Sequence, residues 1–204
     1  MSTFLSTEAF NRALFLQLNA SSDAPVALVR IAMLFANWAI FLVPALLAAL
    51  WLWGSPRNRT GLLAAFLAAE FGLLLNQLAG LMYVHPRPFM VPIGRLLIDH
   101  AADNSMPSDH FTFVFAIALG LFVFSRLKIP ATLVFAIGLA IAWSRVFLGV
   151  HFPLDMIGAA VSGSIGVTLL LPFIRFLENW VMPQMVDPVY RFAFKFPLQK
   201  GWIR

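Results

Sequence analysis

Residues 61–84 read GLLAAFLAAEFGLLLNQLAGLMYV, broken only by one charge, Glu70, and two amides, Asn76 and Gln77. A helix needs about 20 predominantly apolar residues to cross a bilayer, and this run is long enough. Working outward, residues 31–53 carry no charge after Arg30, and residues 129–149 carry only Arg145, near their end. Residues 153–174 carry only Asp155, near their start. The uncharged run 111–124 is short by itself and reaches bilayer length only if its helix starts near Pro107 and takes in Asp109 and His110. The expectation is an all-α polytopic membrane bundle with about five spans.

Composition agrees with that reading. Hydrophobic residues make up 61% of the 204-residue chain and charged residues 11%, against about 45–50% and about 25% in soluble domains. Mean hydropathy is +0.85. One soluble core of this size has no room for so many apolar side chains. The 21 Phe and 6 Trp exclude disorder. The absence of Cys excludes disulfides, thiolate zinc sites and a cysteine nucleophile. A net charge of +5 without any basic run does not point to nucleic acid. No signal peptide is expected, because a basic start followed by an apolar run is missing. Residues 7–18 (TEAFNRALFLQL) are expected to form an amphipathic helix lying on the membrane surface. Beyond Arg175, Trp180, Tyr190 and several Phe mix with Arg191, Lys195 and Lys200, which suits an anchoring tail at headgroup depth. No internal repeat or linker appears, so residues 1–204 are expected to be one domain.

Five spans place the two chain ends on opposite sides. One side holds Arg57, Arg59, Arg126, Lys128, Arg175, Arg191, Lys195, Lys200 and Arg204; the other holds Arg12, Arg30, Arg87, Arg95 and Arg145. The richer side is expected to be cytoplasmic. The poorer, outward side collects HPRPFMVPIGRLLIDHAADNSMPSDH (85–110) and SRVFLGVHFPLD (144–155), which contain all 4 His. These stretches are the facing ends of four spans. Ionisable groups at membrane depth are costly and mark function by default. Singly, Arg87 reads as a snorkelling anchor, Ser108 as a helix cap and His151 as an interfacial residue. Together, R-P at 87–88, P-S-D-H at 107–110 and S-R-x5-H-x3-D at 144–155 form an ordered set.

That set resembles the type 2 phosphatidic acid phosphatases, membrane lipid phosphatases whose pattern is K-x6-R-P, P-S-G-H and S-R-x5-H-x3-D. Arg87, Pro88, Pro107, Ser108, His110, Ser144, Arg145, His151 and Asp155 match it, and residues of about 60–174 follow the family's helix order as a catalytic core. Gly80 stands where the family has Lys, with Gln77 and His85 as the nearby candidates to replace it. Asp109 replaces a Gly and adds a negative charge on the substrate-binding side. P-S-D-H and H-P-R-P-F resemble the bacterial undecaprenyl-diphosphate phosphatase branch linked to bacitracin resistance. The resemblance implies the bacterial cytoplasmic membrane, a site facing the periplasm or outside, and a lipid phosphate or diphosphate substrate.

The residue types suit phosphoryl transfer on physical grounds as well. Arg87 and Arg145 are permanently charged forks that grip phosphate oxygens. Ser108 and the N–H groups starting the third span add donors. A neutral His151 nitrogen can attack phosphorus, Asp155 four residues later can orient the ring, and His110 can protonate the leaving oxygen. The family assigns matching roles to its histidines. No cofactor or metal is expected. The rival readings are a divalent-ion site at Asp99, His100 and Asp103, a transfer to another lipid instead of water, and a transporter. Transporters concentrate such groups at the midplane, often between repeats. Glu70 is expected to meet a polar partner such as Asn37 or to mark a lipid or proton path.

Overall fold

The computed structural model describes residues 2–204, with side chains for 6–55 and 58–204; Arg57, one of the basic residues counted above, lies outside the described side chains. Helices are α1 (Ser2–Leu18), α2 (Val26–Asn37), α3 (Leu42–Trp53), α4 (Pro56–Met82), α5 (Asp109–Phe124), α6 (Lys128–Phe147) and α7 (Pro153–Leu170). Among the described residues there is no strand.

Three helical stretches are long and apolar enough to cross a membrane, at 58–82, 128–147 and 153–193, and the pair α2–α3, bent by 43°, makes a fourth. The bend falls at Trp38, followed by one 3-10 turn at Ala39–Phe41. The sequence expectation of an uninterrupted first span over 31–53 is corrected on that point: it begins at Val26 and is broken. The third expected span, α5, has only 16 residues, about 24 Å at 1.5 Å per residue; it starts close to Pro107, at Asp109, and takes in Asp109 and His110 as expected. Its shortness is tolerated because it is the central element, packed against α4, α6 and α7. Val114, Ile117 and Leu121 of α5 are buried, with Val134 and Ile141 of α6, in the main core cluster.

Close packing there comes from small residues at helical spacing. Ala65, Ala69 and Gly72 share the buried face of α4 with Asn76, one turn further on. A Cβ on Gly166 of α7 would lie 2.2 Å from Ala68 O, so only glycine allows α7 to approach α4 this closely. The same face delivers Asn76 to the start of α5. Glu70 points the other way. It is exposed and has no hydrogen bond or ion pair among the described residues, and Asn37 lines a separate pocket with Asp99.

The helix that starts at Pro153 does not stop near residue 174 but continues, partly as π-helix (Leu177–Val186), to Ala193. The tail beyond it is tied to the bundle: Arg204 N donates to Leu52 O at 2.9 Å and Trp53 Nε1 to Trp202 O at 2.8 Å. Buried Arg59 lies 3.9 Å from the Tyr190 ring centroid and donates to the Arg204 carbonyl. The N-terminal helix also does more than float on the surface. Asn11 Oδ1 accepts the Leu154 N–H at 3.0 Å, and Phe15 packs edge-on to Phe152.

Candidate active site

The C-terminal ends of α4 and α6 and the N-terminal ends of α5 and α7 converge on a cavity of about 480 Å³. Arg87, Arg145, His110, His151 and Asp109 line it, with Asn76, His100 and Asp103. The local chain geometry follows from a few residues. Gly149, at φ 85°, turns the backbone after α6 so that the Val150 and His151 N–H groups return to Arg145 O at 3.0 and 3.3 Å. Pro153 then opens α7, where a missing N–H costs nothing. Asp155 at the third helical position accepts the Phe152 N–H on Oδ2 at 2.8 Å.

The i, i+4 spacing places Asp155 Oδ2 3.1 Å from His151 Nδ1. On the other side of the ring, His151 Nε2 lies 3.1 Å from Arg87 Nη1. A guanidinium only donates, so Nε2 accepts and the ring proton sits on Nδ1, held by Asp155. Burial first, and then the charges of Arg87 and Arg145, push His151 well below its usual imidazole range. The result is a neutral ring with its lone pair on the cavity side.

Arg87 is itself locked. Its Nε donates to Asp103 Oδ1 at 2.7 Å, Nη1 also to Val150 O at 3.2 Å, and Nη2 to Asn104 O at 3.1 Å. Arg145 Nη2 meets His100 Nε2 at 2.8 Å, while its buried Nε has no partner among the described residues. Ser108 Oγ is likewise buried and unpartnered, so it does not cap α5 as the simple reading supposed. These two buried donors, without partners among the described residues, lie with the Arg87 guanidinium and a helix N-terminus in an arrangement that suits a phosphate anion. Ser144, by contrast, turns its hydroxyl back onto Ile141 O within its own helix. Asp109 lines the cavity, but Asn76 Nδ2 donates to its Oδ1 at 2.8 Å, so its charge is partly engaged.

Several contributions had not been foreseen from sequence. Asp103, weighed above only as a metal ligand, holds Arg87 together with Asn104, and Ser105 Oγ donates to Asp155 Oδ2 at 2.5 Å. They belong to a loop whose path no periodicity encodes. Asn76 had one usable signal, a polar residue continuing the small-residue face of α4. The D-H-x-x-D residues do not assemble as metal ligands: His100 Nε2 faces Arg145 and Asp103 faces Arg87. Among the described residues no cluster of three metal-ligating side chains forms. Burial and the two arginines keep His100 below its usual range, and its Nδ1 donates to Ala101 O at 3.1 Å. Of the two candidates to replace the family Lys, Gln77 lines the cavity, whereas His85 lies behind Asp155.

This fold and site define a membrane-embedded phosphatase. Residues 58–179 match the PAP2 superfamily, and the chain belongs to it. It is 37% identical over 197 residues to YbjG of Escherichia coli (strain K12), covering 97% of this chain and 98% of that protein. It is 34% identical over 181 residues to undecaprenyl-diphosphatase BcrC of Bacillus subtilis (strain 168), covering 89% and 90%. In fold it is similar to LpxE of Aquifex aeolicus (TM-score 0.61, 24% identity, covering 78% of this chain and 93% of that one). It is similar also to the Bacillus subtilis PAP2-type phosphatidylglycerolphosphate phosphatase (TM-score 0.61, 20% identity, covering 86% and 89%).

Proposed function

We propose that this phosphatase hydrolyses undecaprenyl diphosphate to undecaprenyl phosphate through a phosphohistidine at His151, on the outer face of the bacterial cytoplasmic membrane. The observation that carries the reading is the His151 ring, with Nδ1 on Asp155 and Nε2 beside Arg87 Nη1 at the edge of a cavity lined by Arg87, Arg145 and His110. The 34% identity to BcrC across nine-tenths of both chains supports the substrate.

In the first step His151 Nε2 bonds to the terminal phosphorus and the bridging P–O bond breaks. The bridging oxygen leaves with undecaprenyl phosphate and takes a proton from His110. Arg87 and Arg145 balance the charge on the equatorial oxygens, and Ser108 Oγ and the α5 N-terminus add donors. In the second step His110 takes a proton from water, the water oxygen bonds to phosphorus, and the N–P bond breaks to release inorganic phosphate. No step requires a metal. Asp109, Gln77 and Gly80 line the same cavity, beside the arginines.

The test is phosphate release by detergent-purified protein with EDTA, across undecaprenyl diphosphate, phosphatidylglycerol phosphate, phosphatidic acid and a lipid A phosphate. Preferred turnover of undecaprenyl diphosphate, inhibited by vanadate, is expected. Loss of activity with EDTA, or preference for another lipid, overturns the corresponding part. The basic excess on the opposite side supports outward orientation. An export-dependent reporter inserted near Asp103 should be active; activity only of a cytoplasm-dependent one reverses the orientation.

A further inference from the structure

Asp155 uses its two oxygens differently. Oδ2 accepts from His151, Ser105 and Phe152. Oδ1 is buried without a hydrogen bond among the described residues, and so is His85 Nδ1; these two atoms face each other at 3.6 Å. The other ring nitrogen of His85 lies 3.4 Å from Glu8 Oε2 on α1. His85 is 5% exposed and Asp155 is fully buried, while the Glu8 side chain keeps 22% exposure and pairs with Arg12 at 2.7 Å. A line of groups therefore runs from the surface through Glu8, His85 and Asp155 to His151.

The surroundings hold His85 in this place. Its N–H donates to Asn104 Oδ1 at 2.7 Å and its carbonyl accepts from Ser105 N at 2.8 Å. Its ring stacks on Tyr83 and meets Phe152 edge-on. The helix bearing Glu8 is pinned by Asn11 on Leu154 N and by Asn19 Nδ2 on Phe147 O at 3.0 Å.

We propose that His85 is a positioning residue for the nucleophile: by bridging Glu8 and Asp155 it holds the Asp155 carboxylate in the orientation that fixes the His151 Nδ1–H. This rests on His151 being the nucleophile. It makes the N-terminal helix, through Glu8, part of the catalytic apparatus, although neither Glu8 nor His85 lines the cavity. As His151 bonds to phosphorus its ring gains positive charge, and a carboxylate held in place stabilises that charge in the transition state more than in the bound substrate.

The test uses the full chain in detergent with undecaprenyl diphosphate and, separately, para-nitrophenyl phosphate. His85→Phe should lower kcat by about 10-fold or more, about 1.4 kcal/mol or more of transition-state stabilisation, with KM within about twofold on both substrates. Glu8→Gln, which keeps the side-chain size at a position 22% exposed, should lower kcat several-fold without moving the melting temperature. The double variant should be no slower than His85→Phe alone, because both act through one path. Wild-type kcat in Glu8→Gln, a change confined to KM in His85→Phe, or losses that multiply in the double variant would overturn the proposal. His151→Ala separates the two levels. If it still turns over, the nucleophile assignment fails; if it is inactive while His85→Phe runs at the wild-type rate, only the role of His85 fails.

Discussion

Replacing Arg87 by Lys separates the charge of this residue from its shape. The guanidinium reaches four atoms in three directions: Asp103 Oδ1 at 2.7 Å, Val150 O at 3.2 Å, His151 Nε2 at 3.1 Å and Asn104 O at 3.1 Å. A single ammonium nitrogen cannot span them. A buried acceptor left unpaired costs about 1–3 kcal/mol; abandoning the buried Val150 carbonyl and the partly buried Asn104 carbonyl, which water can reach more easily, should destabilise the protein by about 2–4 kcal/mol. At about 2–4 °C per kcal/mol for a chain of this length, the melting temperature should fall by roughly 10 °C. Losing the bidentate grip on the reacting phosphate should cost about 3 kcal/mol more in the transition state, or about 10²-fold in kcat/KM. Arg145 is the internal comparison. Its guanidinium meets His100 Nε2 and no carbonyl among the described residues, so Arg145→Lys should lose a similar factor in rate while melting close to wild type. Thermal unfolding in detergent and kcat/KM from phosphate release measure both. The reasoning is refuted if Arg87→Lys keeps kcat/KM within about threefold of wild type, or if the two variants lose equal stability.

Three further outcomes are expected. His110→Ala should be crippled on undecaprenyl diphosphate but far less so on para-nitrophenyl phosphate, whose leaving oxygen needs no proton; equal losses on both would remove His110 as the acid. His151 is held below its usual range by burial and the two arginines, so below about pH 6.5 the unfolded chain takes up a proton that the folded chain refuses. Stability from this group is therefore present above that pH and declines on acidification, by up to about 1.4 kcal/mol per pH unit. His151→Gln should flatten the acid side of the melting-temperature profile, and an unchanged slope would contradict a neutral buried ring. Gly80→Lys should lower KM more than it raises kcat, because the Cβ meets only the Asn104 side chain, 3.1 Å away at its amide nitrogen, and the new charge grips bound substrate and transition state alike; a higher KM would mean that the position does not face the phosphates.

Much of this was legible in one dimension. Hydropathy over windows of bilayer length depends on composition alone, so the runs at 61–84, 129–149 and 153–174 announced membrane helices without reference to partners. Helical spacing likewise makes His151 and Asp155 neighbours in any fold that keeps the turn at Pro153, and the ordered motifs marked Arg87, Ser108, His110 and Arg145. The rest depends on contacts between residues far apart in sequence. The bend at Trp38, the tie of Arg59 to Arg204 across 145 positions, and the approach of Glu8 to His85 across 77 leave no local pattern. They are decided by how closely the helices pack. Ala65, Gly72 and Gly166 let α4 sit against α5 and α7, carrying Asn76 to Asp109. Phe15 and Asn11 dock α1 on the turn before α7. From sequence, His85 is a polar residue near a missing lysine. Only the packed structure turns it away from the phosphate cavity and towards the free oxygen of Asp155, because the loop carrying it is shaped by Asn104 and Ser105, some twenty residues on.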